Sequence, residues 1–269
     1  MSITPSNDRI VSNLKKETII HLISKGIRGD GRKLNSYRPI SIERGVAKKA
    51  EGSALVKIGD TEVIAGVKMS IDKPYEDTPD QGNLIVNVEL LPLASPTFEP
   101  GPPDENAIEI ARTIDRSLRD TKAINLKELC ITQSQQVWTT WIDIYVLNHG
   151  GNLVDASMLA ALAALKDTRV PKVEVKDGKI TKTQETFQMP LVRNVVTVTV
   201  GKVGNYMIVD PSLEEEDILD SKIVFAITED EKIGGIQKIF GSLTINELNE
   251  AINMVKNSYK QLIDAFKNI

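Results

Sequence analysis

Arg112, Arg116 and Arg119 are the residues of this sequence whose type and spacing point most directly to chemistry. Steps of four and three place three guanidinium groups on one face of a helix. Guanidinium forks pair with phosphate oxygens, so such a row suits a polyanionic backbone. Glu109 and Asp115 compete for it, because each stands three or four residues from an arginine. The other reading is therefore a solvated, ion-paired helix face. Phe98 is the one aromatic close by in sequence, so the row speaks of backbone contact rather than base recognition.

Three further groups could carry chemistry. Gly150-Gly151-Asn152 precedes a helical stretch, the layout in which backbone N–H groups hold a phosphate. A strand-to-helix turn often needs glycine anyway. Asp210, Glu214, Glu215, Glu216, Asp217 and Asp220 form the densest acidic cluster. Paired carboxylates can hold magnesium or act as general acids, but four consecutive acids fit an exposed loop equally well. The segment itself carries no cation to offset them. The two histidines, His21 and His149, are far apart, and His149 has no serine or cysteine partner, so it reads as a turn residue.

The elements that must position these groups follow from patterning. An amphipathic helix is expected around 13–24, with Leu14, Ile19, Leu22 and Ile23 available for burial. A turn-rich charged segment, 27–32, comes next. Strands are predicted over 53–58 and 62–71, joined at Gly59-Asp60, and over 83–91 and 137–147. Five prolines between Pro92 and Pro103 make an extended loop, and Asp104 can cap a helix over 105–121. On that helix Ala107, Ile110, Ala111, Ile114 and Leu118 face inward, opposite the arginines. A buried Ala/Leu-rich helix is predicted over 154–166 and short strands over 195–200, 206–209 and 222–228. The last helix is opened by the capping box Thr244-x-x-Glu247, with Leu248, Ile252, Val255, Tyr259, Leu262 and Phe266 along one stripe. The polar stretch 171–190, marked by Asp177-Gly178, is the expected boundary between two α+β units.

Composition bounds the rest. The chain has 269 residues, with 33 Lys and Arg against 37 Asp and Glu and a net charge of −4, so any basic site must be local. The single cysteine, Cys130, excludes an intrachain disulfide and a Cys-rich metal site. No apolar run suggests a membrane span or a signal peptide, which leads to an expectation of a cytoplasmic protein.

The order of motifs also resembles a known family. Arg28-x-Asp-Gly-Arg32 with Tyr37-Arg38-Pro39-Ile40 resembles the opening of RNase PH-fold proteins, and Gly52-Ser53-Ala54-Leu55-Val56 with Thr61 resembles that family's first hairpin. Phe98-Glu99-Pro100-Gly101-Pro102-Pro103 plus Glu109, Arg112, Arg116 and Arg119 closely resembles the larger, non-catalytic RNase PH-like ring subunit of the archaeal exosome. Trp138-x-x-Trp141-x-Asp143, Gly150-Gly151-Asn152-x-x-Asp155-Ala156 and Val209-Asp210-Pro211 continue the match. It runs from about Lys25 to the last helix.

The resemblance implies an α+β, RNase PH-like fold of two mixed sheet-and-helix units, forming a ring. The expected division is an N-terminal arm (1–33), a core unit (34–190) and a C-terminal unit (191–269). It also implies an alternating hexameric ring with a catalytic sister subunit, RNA-binding cap subunits, and single-stranded RNA entering a central channel. The sister uses phosphate to attack the RNA 3′ end. Active members carry a Gly-Ser-Arg-type phosphate loop where this chain has Gly150-Gly151-Asn152, losing the hydroxyl and the guanidinium. The expectation is a non-catalytic subunit that binds RNA through Arg112, Arg116 and Arg119, with no cofactor and no metal. Asp210 falls near the family's catalytic aspartate, so the alternative is an active phosphate-dependent 3′-to-5′ exoribonuclease. In a third reading the arginines form ion pairs at a subunit interface.

Overall fold

The computed structural model of the chain describes residues 13–176 and 179–267. The first twelve residues of the expected arm, the side chain of Leu14, and Asp177-Gly178 lie outside the described residues.

The first sheet is built from β1 (Ile40–Arg44), β2 (Gly52–Ile58), β3 (Thr61–Asp72), β4 (Asn83–Leu90) and β6 (Gln136–Asn148), in the order β1-β2-β3-β6-β4. A short β5 (Cys130–Thr132) pairs with the start of β6. All pairs are antiparallel except β4 with β6, which run parallel. The second sheet is antiparallel, in the order β10 (Tyr206–Val209), β9 (Val195–Val203), β11 (Ser221–Thr228), β12 (Ile233–Phe240). Strand alternation explains the inward faces: Val63, Ala65, Val67 and Met69 on β3 are buried while Glu62, Ile64 and Lys68 are not.

Helices join the two sheets, and the central one is buried between them. The helix α3 (Leu153–Asp167) is buried from Leu153 to Leu165 and packs on β2 and β3 on one side and on β9 on the other. Its composition, alanine and leucine with hardly a charge, is what a helix buried all round requires. The helix α2 (Glu105–Asp120) lies on β4, α3 and β12, and α5 (Ile245–Lys267) packs against β9, β10 and β1. The predicted caps are present: Asp104 accepts from the Ala107 N–H at 2.8 Å, and Thr244 and Glu247 exchange the capping-box hydrogen bonds. The helix α1 (Asn13–Ser24) buries Ile19 and Ile23 against Val203, Ile208 and Ile218, which ties the arm to the second sheet.

The stretch 171–190 is not an open linker. It forms the hairpin of β7 (Arg169–Lys176) and β8 (Lys179–Gln188); β8 is polar nearly throughout, and the alternation of β7 is confined to Val173 and Val175 among charged residues. Strands β1, β5 and β12 were also not expected.

Candidate nucleic-acid interface

The arginine row is on the outside of α2. Ala107, Ile110, Thr113, Ile114, Ser117 and Leu118 are buried beneath it, and Arg112, Arg116 and Arg119 are exposed. Among the described residues Arg112 and Arg116 form no ion pair, and Glu109 forms none with either. Arg119 differs. Its guanidinium pairs with Asp115 one turn earlier at 2.7 Å and donates to the Leu84 carbonyl on β4 at 3.1 Å. The hydrogen bond that Arg119 donates to Asp115 raises the Arg119 pKa, against the opposing effect of partial burial. The competition expected from sequence is thus realised at one arginine of three.

The double-glycine turn joins β6 to α3, and its polar groups are engaged by the protein itself. The Asn152 N–H donates to Glu216 Oε1 at 3.1 Å, and Lys222 Nζ pairs with that same oxygen at 2.5 Å. Glu216 ends the short helix α4 (Leu213–Glu216), which opens on a capping box between Ser212 and Glu215. A helix N-terminus attracts anions, and here a carboxylate of the chain holds that position. The carbonyls of Gly150 and Gly151 accept from Arg38 at 2.6 and 3.2 Å. Gly151 has φ +96°, and a Cβ there would lie 2.5 Å from the Leu213 nitrogen, so only glycine lets α4 close on the turn. The cleft beside it, about 610 Å³, is lined by Glu109, Glu216 and Asp217 against the single cation Lys222. That balance repels inorganic phosphate.

The acidic cluster is exposed only in part: Glu214, Asp217 and Asp220 face solvent, whereas Asp210 and Glu215 are buried and have cations to offset them. Asp210 is fully buried with φ +51°; its carboxylate accepts from Arg38 Nη2 at 2.7 Å, Arg32 Nη1 at 2.9 Å and Asn152 Nδ2 at 2.8 Å. Burial alone would raise its pKa, but the Arg38 hydrogen bond and charge overcome this and lower it. Glu215 is buried against Arg28, which is 1% exposed and also donates to the Val209 and Asp210 carbonyls. Burial likewise works against Glu215, and Arg28 brings its pKa down. Asp155 lies next to them, accepting from Tyr37 Oη at 2.8 Å, Asn152 Nδ2 at 2.8 Å and Thr199 N at 2.9 Å. There burial wins and its pKa is raised. Sequence reasoning gave Arg28, Arg32 and Arg38 no role, because their partners lie some 180 residues further on. Opposite charge in two turn-rich segments was the only signal available.

His149 proves to be a turn residue. Its Nδ1 accepts from the Gly151 N–H at 3.3 Å, and its ring stacks on Phe98 with centroids 5.4 Å apart. This contact anchors the proline-rich loop that leads into α2.

The pattern for domain 1 of the 3′ exoribonuclease (RNase PH) family matches residues 36–171, and that for domain 2 matches residues 194–257. The chain belongs to this family. It is 56% identical to the exosome complex component Rrp42 of Sulfurisphaera tokodaii, over 99% of this chain and 98% of that protein. It also superposes on a chain of the Archaeoglobus fulgidus exosome with RNA bound to the active site, with a TM-score of 0.87 and 43% identity over 94% of this chain and 98% of that one. A chain of an archaeal exosome core gives 0.83 and 38%, covering 95% and 97%. The fold is thus the α+β, RNase PH-like one that the sequence motifs led us to expect. Among the described residues no helix is long and apolar enough to cross a membrane.

Proposed function

We propose that this chain is the non-catalytic ring subunit of an archaeal-type exosome, a 3′-to-5′ exoribonuclease complex. In this reading it holds the RNA backbone on Arg112, Arg116 and Arg119 and completes the active site of a catalytic sister, with which it alternates in a hexameric ring carrying RNA-binding caps. The supporting relatives are exosome components across nearly their whole length. A cytoplasmic setting, and the division into residues 1–33, 34–190 and 191–269, belong to the same proposal.

The observation that carries it is the filled anion cradle. Phosphorolysis needs phosphate bound and oriented against the RNA 3′ end. Here Glu216 sits on the Asn152 N–H and Arg38 is consumed by Asp210 and the two glycine carbonyls. Nor is Asp210 a general acid, since two arginines hold it ionised and it is shut off from solvent. Arg112 and Arg116 are the cations left facing outward on α2.

The test is a ring reassembled with the sister subunit. Arg112→Ala and Arg116→Ala should each leave assembly intact and reduce the salt slope of RNA binding by about 0.7. Arg119→Ala should do less, because its guanidinium already serves Asp115. An unchanged slope in an intact ring, or loss of the ring itself, would turn the arginine face into an interface and overturn the reading.

A further inference from the structure

Beside the arginine row runs a groove of about 480 Å³ between α2 and the outer edge of β4. Tyr75, from the connection between β3 and β4, lines it together with Arg112, and both Tyr75 and Ile108 are 48% exposed. An aromatic ring and an isoleucine left in solvent next to an unpaired arginine are a costly surface for a protein that uses only the charge. The groove also holds carboxylates: Glu89, Asp115 and Asp143 line it, Asp115 being neutralised by Arg119 and Asp143 accepting from Asn87 Nδ2 at 3.1 Å. These repel a phosphate but accept hydrogen bonds from exocyclic amines of bases. Arg119 fixes the geometry, holding Asp115 with one edge and the Leu84 carbonyl of β4 with the other.

We infer that this groove receives a base of the RNA whose phosphates lie on Arg112 and Arg116, with Tyr75 as its stacking platform. The inference rests on the function proposed above and extends it from backbone to base. The charge pattern separates the two halves of a nucleotide: phosphates go to the guanidinium side and the base to the aromatic and apolar side. Stacking on a tyrosine tolerates every base, and the carboxylates add a preference for bases that carry an exocyclic amine. Phe98, the aromatic that sequence suggested, is instead engaged by His149.

The experiment uses the reassembled ring and two probes of equal length, oligo(A) and the same ribose-phosphate chain without bases. Tyr75→Ala should weaken oligo(A) binding roughly tenfold and leave the abasic probe unchanged, and Tyr75→Phe, which keeps the ring, should restore it. Equal losses for both probes, no loss for either, or a ring that fails to assemble would overturn the inference. Arg112→Ala, measured alongside, should weaken both probes. If it weakens neither, the arginine face itself has failed; if it weakens both while Tyr75→Ala changes nothing, only the base groove has.

Discussion

Three residues, Arg32, Arg38 and Asn152, donate to the Asp210 carboxylate, which no solvent reaches, and its charge is the reason two arginines tolerate burial there. Removing one member of a buried pair leaves the other charge uncompensated, so Asp210→Asn should cost about 3–5 kcal/mol, read from the denaturation midpoint. A cost below about 1 kcal/mol would show that the cluster does not hold the arm and the two sheets together. The same residue shows how far sequence carries. Arginines spaced by four and three declare their shared face without any structure, since helix geometry alone sets it. The acidic cluster and Arg28 were visible one by one, but their pairing was not, because a buried ion pair between residues 187 apart, Arg28 and Glu215, has no local pattern.

At the scale of elements, α2 does two things at once: it buries Ile114 and Leu118 against the core and turns Arg112 and Arg116 outward. Ile114→Ala should cost 2–5 kcal/mol of stability by leaving a cavity, as measured by thermal unfolding. Asp104→Ala should cost about 1 kcal/mol, since one N-terminal N–H loses its acceptor. Neither change should alter the salt slope of RNA binding in rings that remain folded. Helices α2 and α5 were legible because their apolar residues follow a 3.6-residue period over three or more turns, and α3 because its alanine and leucine run is long and nearly free of charge. The strand β12 was not: it begins Ile233-Gly234-Gly235, and half its residues face solvent. The strand β1 is five residues long at a sheet edge, and α4 is a single turn hidden among consecutive acids.

For the whole molecule, the charge cluster between the arm, the double-glycine turn and the second sheet sets the response to acid. Asp210 and Glu215 have pKa values below 3.8 and 4.5, their usual ones, when folded. Their stabilisation is therefore complete above about pH 4.5 and is lost as pH falls through the lowered folded values. Asp155, with its raised pKa, acts in the opposite sense, its burial being relieved on protonation. Asp30, Glu185, Asp230 and Glu247 are lowered as well, but Asp210 and Glu215 are the buried ones, so the denaturation midpoint is predicted to fall between about pH 5 and pH 2, largely through these two. Asp210→Asn should flatten that fall; an equally steep profile in the variant would assign acid sensitivity elsewhere. The cluster also supports the proposed non-catalytic role, because the groups that would handle phosphate are already bound to one another. The most direct test is phosphate-dependent release of nucleoside diphosphates from a 3′-hydroxyl RNA, with this chain alone, the sister alone, and the two combined. The account predicts none from this chain alone and turnover in the combined ring. Phosphate-dependent release by this chain alone, at a rate like that of the ring, would contradict it.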